Sequence, residues 1–115
     1  MTLAICPAWP VSIFICGDPA VARQALREYA MKGLCVTVTP TTYVYKGGAE
    51  DGVVVGLINY PRFPKGTEEI KKEAMAVAEF LMDRLCQMSA TVQTPARAYW
   101  LSRRGDGGMS AVEAR

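Results

Sequence analysis

Two stretches of this chain repeat apolar residues at helical spacing, and each lies between runs with the composition of strands. That order constrains the fold more than any single residue does. The first stretch opens at Asp18-Pro19, where Asp18 can cap and Pro19 loses nothing by lacking an N–H at the first helical position. Ala22, Ala25, Leu26 and Tyr29 form its stripe to about Lys32, and Gly33 stops it. The second opens at Thr67-Glu68-Glu69, a capping hydroxyl with two carboxylates at the positive end of the helix dipole. Ile70, Ala74, Val77, Ala78, Leu81, Leu85 and Met88 then keep a 3.6-residue period, with Met75, Met82 and Cys86 as a second apolar flank. So broad an apolar surface needs a wide core face or a partner.

Around these helices, residues 11–16, 34–45, 53–60 and 89–94 read as strands, rich in Val, Ile, Thr and aromatic residues. Pro40 marks a bulge or an edge position in the second of them, and Pro95 ends the last. Residues 46–52 read as a long, mobile hairpin loop, and Ala98-Tyr99-Trp100-Leu101 as a final apolar patch. The order is β-α-β-β-α-β. It predicts an α+β fold, a four-stranded antiparallel sheet with two helices on one face, the ferredoxin-like or split βαβ arrangement. The sheet's other face would carry Thr37, Thr39, Thr91 and Gln93. At 115 residues the chain suits a single domain, 1–115, with residues 1–10 an irregular lead-in and 105–115 a flexible tail.

A net charge of +2 is too small for a duplex nucleic-acid binder. There is no histidine, and the cysteines at 6, 16, 35 and 86 form no C-x-x-C pair, so neither a metal site nor a cofactor is expected. Cys16, Cys35 and Cys86 lie in or beside apolar runs and read as buried, reduced thiols, which points to the cytoplasm. No segment reaches the length of a membrane span, and the apolar N-terminus lacks the basic start of a signal peptide.

Catalytic candidates are few. Without histidine the commonest general base is missing. Glu50-Asp51 reads as a solvated hairpin tip, and Cys16, just before a helix start, as a structural thiol more readily than a reactive one. The chain is therefore expected not to be an enzyme. Binding has more support. Tyr60, Phe63 and Trp100 can stack on a base, Arg62 and Arg97 can fork onto phosphates, and Asn59, Thr91 and Gln93 can bond sugars or base edges. Tyr60 and Phe63 are equally well read as packing of a strand-to-helix corner.

The strand from Val53 that runs into Asn59-Tyr60-Pro61-Arg62-Phe63-Pro64, the amphipathic helix after it and the short strand ending near Thr94 resemble the phage Thoeris anti-defence protein 1 family over residues 11–101. The resemblance implies a sponge in the host cytoplasm during infection. Such a protein sequesters cyclic nucleotide immune signals, chiefly cyclic ADP-ribose isomers and in some members cyclic oligonucleotides, without cleaving them. It implies homo-oligomers, dimers or larger, with pockets between subunits. Tyr60, Arg62 and Phe63 match the motif, while Arg97 and Trp100 are proposed on chemistry alone. The alternative is a ferredoxin-like interaction module that inhibits a host protein or binds single-stranded RNA on the open sheet face.

Overall fold

The computed structural model describes residues 1–104. The elements are β1 (Val11–Cys16), α1 (Pro19–Ala30), β2 (Thr37–Tyr45), β3 (Gly48–Leu57), α2 (Thr67–Arg84), β4 (Ser89–Gln93) and β5 (Ala98–Ser102). They form one antiparallel sheet of order β2-β3-β1-β4-β5 with both helices on one face. The β2-β3-β1-β4 part is the expected split βαβ arrangement. The sheet has five strands, however, not four. Pro95 does not end it but turns it back. The Thr94 hydroxyl accepts from the N–H groups of Ala96 (3.2 Å) and Arg97 (3.0 Å), and the Thr94 N–H donates to the Arg97 carbonyl at 2.8 Å. The apolar patch at 98–102 thus becomes an edge strand on β4.

A second departure lies in the β2–β3 connection. Tyr45 pairs with Gly48, so the turn holds two residues, Lys46 and Gly47, rather than a mobile loop of seven. Gly47 sits at φ 88, which glycine takes without steric cost. Residues 48–52, apolar-poor and glycine-rich, are drawn into β3 by backbone pairing, a contribution that side-chain pattern does not reveal. Pro40 lies on β2, an edge strand, where its missing N–H leaves no ladder bond open. Residues 34–36 lead into that strand without joining it.

The core lies between helices and sheet. Ile13, Ile15, Val53, Val55 and Val92 point into it from the strands, and Ala25, Leu26, Ile70, Val77, Leu81 and Met82 from the helices. Burying each large side chain contributes roughly 1.5–3 kcal/mol. Met82 belongs to this core and Met75 is packed at its edge, so the second flank of α2 widens its core face. The helix ends before Cys86, a non-glycine residue at φ 54, and Gly66 is its N-cap, so Thr67 is the first helical residue and not the cap. The Glu28–Arg84 ion pair and the Tyr29–Phe80 ring contact (centroids 4.9 Å apart) tie α1 to α2. Residues 105–115, expected as a tail, lie outside the described residues.

The opposite sheet face has no helix over it. Thr39, Val54, Phe14, Thr91 and Trp100 form one row across it, and Thr37, Gly56, Ser12, Gln93 and Ala98 the next. The predicted Thr37, Thr39, Thr91 and Gln93 do share this face. The four cysteines are free, as expected. They are not buried: Cys35 and Cys86 are exposed and Cys6 and Cys16 are partly so. Hydrophobic neighbours in sequence do not place a residue inside when it stands at a helix end or a strand edge.

Candidate functional site

The segment between β3 and α2 forms a corner held by one side chain. Asn59 is buried; its Nδ2 donates to the Pro7 carbonyl at 2.9 Å, and its Oδ1 accepts from the Lys65 N–H at 2.9 Å. Its carbonyl also receives the Cys6 thiol at 3.6 Å. Asn59 therefore pins the irregular N-terminal lead-in to the corner and fixes the entry into α2. Between its two partners the chain makes a tight turn, closed by the Phe63 N–H donating to the Tyr60 carbonyl at 2.9 Å, with Pro61 at the position where its fixed φ suits a turn.

This turn directs three side chains to one place. The Tyr60 hydroxyl donates to the Cys35 sulfur at 3.3 Å, and that bond, followed by partial burial, raises the hydroxyl's pKa. The Arg62 guanidinium stands 5.4 Å from the centre of the Phe63 ring, which is 68% exposed. Lys65 and Glu73 form an ion pair across the first turns of α2. Together these groups line a cavity of about 340 Å³, whose remaining wall is apolar: Leu34 from the α1–β2 connection, Leu57 at the end of β3, Ile58 just after it, and Ile70 from α2. The volume lies at the lower end of small-molecule sites, and the make-up, apolar walls with a few converging charges, is typical of them.

Of the predicted site residues, Asn59, Tyr60, Arg62 and Phe63 all line this cavity. Arg97 lies in the β4–β5 turn, Thr91 and Gln93 on β4, and Trp100 on β5 opposite Thr91. The fold does not bring these four to the corner, because β3 and β1 separate it from β4. Sequence reasoning overlooked Leu34, Cys35, Lys65 and Glu73. Lys65 is close to the motif in sequence, and Glu73 lies two helical turns past the start of α2. Leu34 and Cys35 enter only through the pairing of β2 with β3.

Thr91 instead lines a second cavity, of about 280 Å³, on the open face at the opposite end of the sheet. There Glu50 accepts from the Tyr45 hydroxyl at 3.0 Å; the neighbouring Cys16 thiol first, and then this bond, lower its pKa. Cys16 is pushed up to about 11, by burial first and then by Glu50. A thiol so placed is held protonated, the reverse of the activation a helix start could have supplied. Among the described residues, no group of three or more potential ligands could hold a metal, and no helix is long and apolar enough to cross a membrane.

No protein-family model matches the chain, and no curated protein matches it in sequence. Two solved structures share its fold. One is a phage SAM lyase in the apo state, 16% identical, with a TM-score of 0.66 over 82% of this chain and 88% of that one. The other is a phage SAM lyase in complex with S-methyl-5'-thioadenosine, 14% identical, with a TM-score of 0.64 over 89% of this chain and 95% of that one. Neither is a Thoeris anti-defence protein. The likeness overturns the expectation that the chain is not an enzyme, since the same fold carries a lyase. The chain is similar in fold, across most of its length, to phage SAM lyases.

Proposed function

We propose that this chain is a phage anti-defence enzyme that cleaves S-adenosylmethionine (SAM) in the corner cavity. The observation that supports this reading is the cavity's make-up on that fold: apolar walls, two rings and an arginine beside a lysine–glutamate pair. A sulfonium needs little help to leave. The substrate's own carboxylate oxygen attacks its Cγ, a C–O bond forms, and the Cγ–S bond breaks. The bonding pair stays on sulfur, which yields neutral S-methyl-5'-thioadenosine and homoserine lactone. No proton moves, so neither a histidine nor a metal is required.

Opposite charges cancel along this path. Water stabilises the separated charges more than the transition state, so an apolar, water-poor enclosure favours the reaction. Leu34, Leu57, Ile58 and Ile70 supply that enclosure. In this reading the Tyr60 and Phe63 rings take the adenine, and Arg62 forks onto the carboxylate and holds it folded towards Cγ. Glu73, shared with Lys65, faces the ammonium. Asn59 holds the turn that aligns them. Loss of SAM would starve host methyltransferases of their donor in the cytoplasm, a route to anti-defence unlike sequestration of a signal.

The expected self-association belongs to the same reading. Ile58 and Phe63 are 51% and 68% exposed at the cavity mouth, and a second copy seated there would close it; sedimentation velocity measures this. Cyclic ADP-ribose isomers, the ligand class that the resemblance to the Thoeris anti-defence family implies, share the adenine ring and are natural competitors to assay. The decisive experiment incubates purified protein with SAM and follows products by mass spectrometry. S-methyl-5'-thioadenosine together with homoserine lactone is expected. Recovery of all the SAM intact would overturn the proposal.

A further inference from the structure

The second cavity lies at the other end of the sheet, on its open face, and the proposed reaction makes no use of it. Its wall joins β1, β2, β3, β4 and the residues after β5. Its two tyrosine rings are held by hydrogen bonds. The Tyr43 hydroxyl donates to the Val53 carbonyl at 2.7 Å, and its ring lies over Gly52, where a Cβ would come within 2.5 Å of the ring. Glycine at 52 is thus the condition for the ring's position. Tyr45 is anchored on the Glu50 carboxylate, and Cys16 lines the same wall. Arg104 lines the cavity as well, with its N–H donating to the Ser102 hydroxyl at 3.2 Å. Phe14 supplies an apolar floor.

A carboxylate in a cavity that aromatic rings also line suits an organic cation. A cation alone would also meet the Arg104 charge, and an anion alone would meet Glu50. A molecule with both charges satisfies both. We propose that this cavity is a second binding site, for a small zwitterion of the α-amino-acid class, with its ammonium on Glu50, its carboxylate on Arg104 and its side chain against Phe14 and Tyr43. The site stands independently of SAM cleavage at the corner.

The test is nuclear magnetic resonance titration of the whole protein with L-methionine, with choline and acetate as single-charge probes. L-Methionine is expected to shift the amides of Cys16, Glu50 and Thr91, and each single-charge probe to bind about tenfold more weakly or worse, as loss of one charge-assisted contact predicts. Glu50→Gln and Arg104→Ala should each weaken L-methionine binding by about tenfold or more, while Arg62→Ala leaves it unchanged. Both residues are exposed, so the variants should fold, and circular dichroism checks this. Absence of shifts at millimolar L-methionine overturns the site. So does binding that Glu50→Gln leaves unchanged, or shifts confined to Leu34 and Phe63 that Arg62→Ala removes.

Discussion

The two cavities are built in opposite ways. The corner at the end of β3 is made largely by one continuous segment, Leu57 to Lys65, folded tightly and latched by Asn59. The open-face cavity is made by Phe14, Cys16, Tyr43, Tyr45, Glu50, Thr91 and Arg104, which come from five different strands or their ends. A site of the first kind rests on local turn chemistry and one clamp. A site of the second kind rests on strand register, so replacing one side chain leaves the backbone that carries the others in place. The two should therefore fail differently under substitution.

The largest effect is expected at the clamp. Asn59→Ala removes two hydrogen bonds from a buried group and leaves the Lys65 N–H without its acceptor. A loss of about 2–4 kcal/mol is expected in chemical denaturation, together with loss of activity at the corner. A variant of wild-type stability would show that the lead-in and the turn hold themselves. The thiol on the open face gives the next contrast. With its pKa at about 11, Cys16 exposes little thiolate at pH 8. Iodoacetamide should alkylate exposed Cys35 and Cys86 on the order of a hundredfold faster, as peptide mass spectrometry would record.

Arg62→Ala separates chemistry from architecture at the corner. Its guanidinium is exposed and contacts the Phe63 ring, so the fold should stand while SAM turnover falls about tenfold to a hundredfold. If the variant unfolds instead, the corner is structural and the reacting groups lie elsewhere. A smaller effect concerns pH. Folding lowers the pKa of Glu50, through Cys16 first and then Tyr45. Its ionised form is thus favoured above the ordinary carboxyl pKa, and that contribution is lost only as pH falls through the lowered value. Cys16→Ala should move the Glu50 midpoint upward, visible in a carboxylate resonance titration, without disturbing the corner. The smallest effect is at Cys86, a non-glycine residue in the left-handed region after α2. Cys86→Gly relieves that strain but frees the unfolded chain, and a net gain below about 1 kcal/mol is expected in thermal melts.

How much of the molecule is legible in its sequence follows the same division. Both helices, the first four strands and the side of the sheet on which Thr37, Thr39, Thr91 and Gln93 stand can be read from periodicity. Tyr60, Arg62 and Phe63 can be singled out because prolines on either side restrict the turn that presents them. Reading Pro95 as a terminator hides β5, since only the Thr94 hydroxyl bonds turn the chain back there. Treating 46–52 as a loop hides the seat of Glu50, since glycines carry no pattern. The absence of histidine does not exclude catalysis when a substrate brings its own nucleophile and leaving group.

Taken by itself, the amino-acid order determined where helices start and stop, which residues face the core, and that a ring–arginine turn joins β3 to α2. Those are properties of near neighbours: residue spacing, caps, and the narrow φ range of proline. Only the tertiary structure decided that Leu34 and Glu73 wall that turn, that Arg97 and Trp100 lie away from it, and that Cys16, Glu50 and Arg104 meet on the other face. Such meetings depend on register between strands far apart in the chain, where a slip of one residue would send every side chain to the opposite face. The packing of the core selects one register, and no local signal in the sequence carries it.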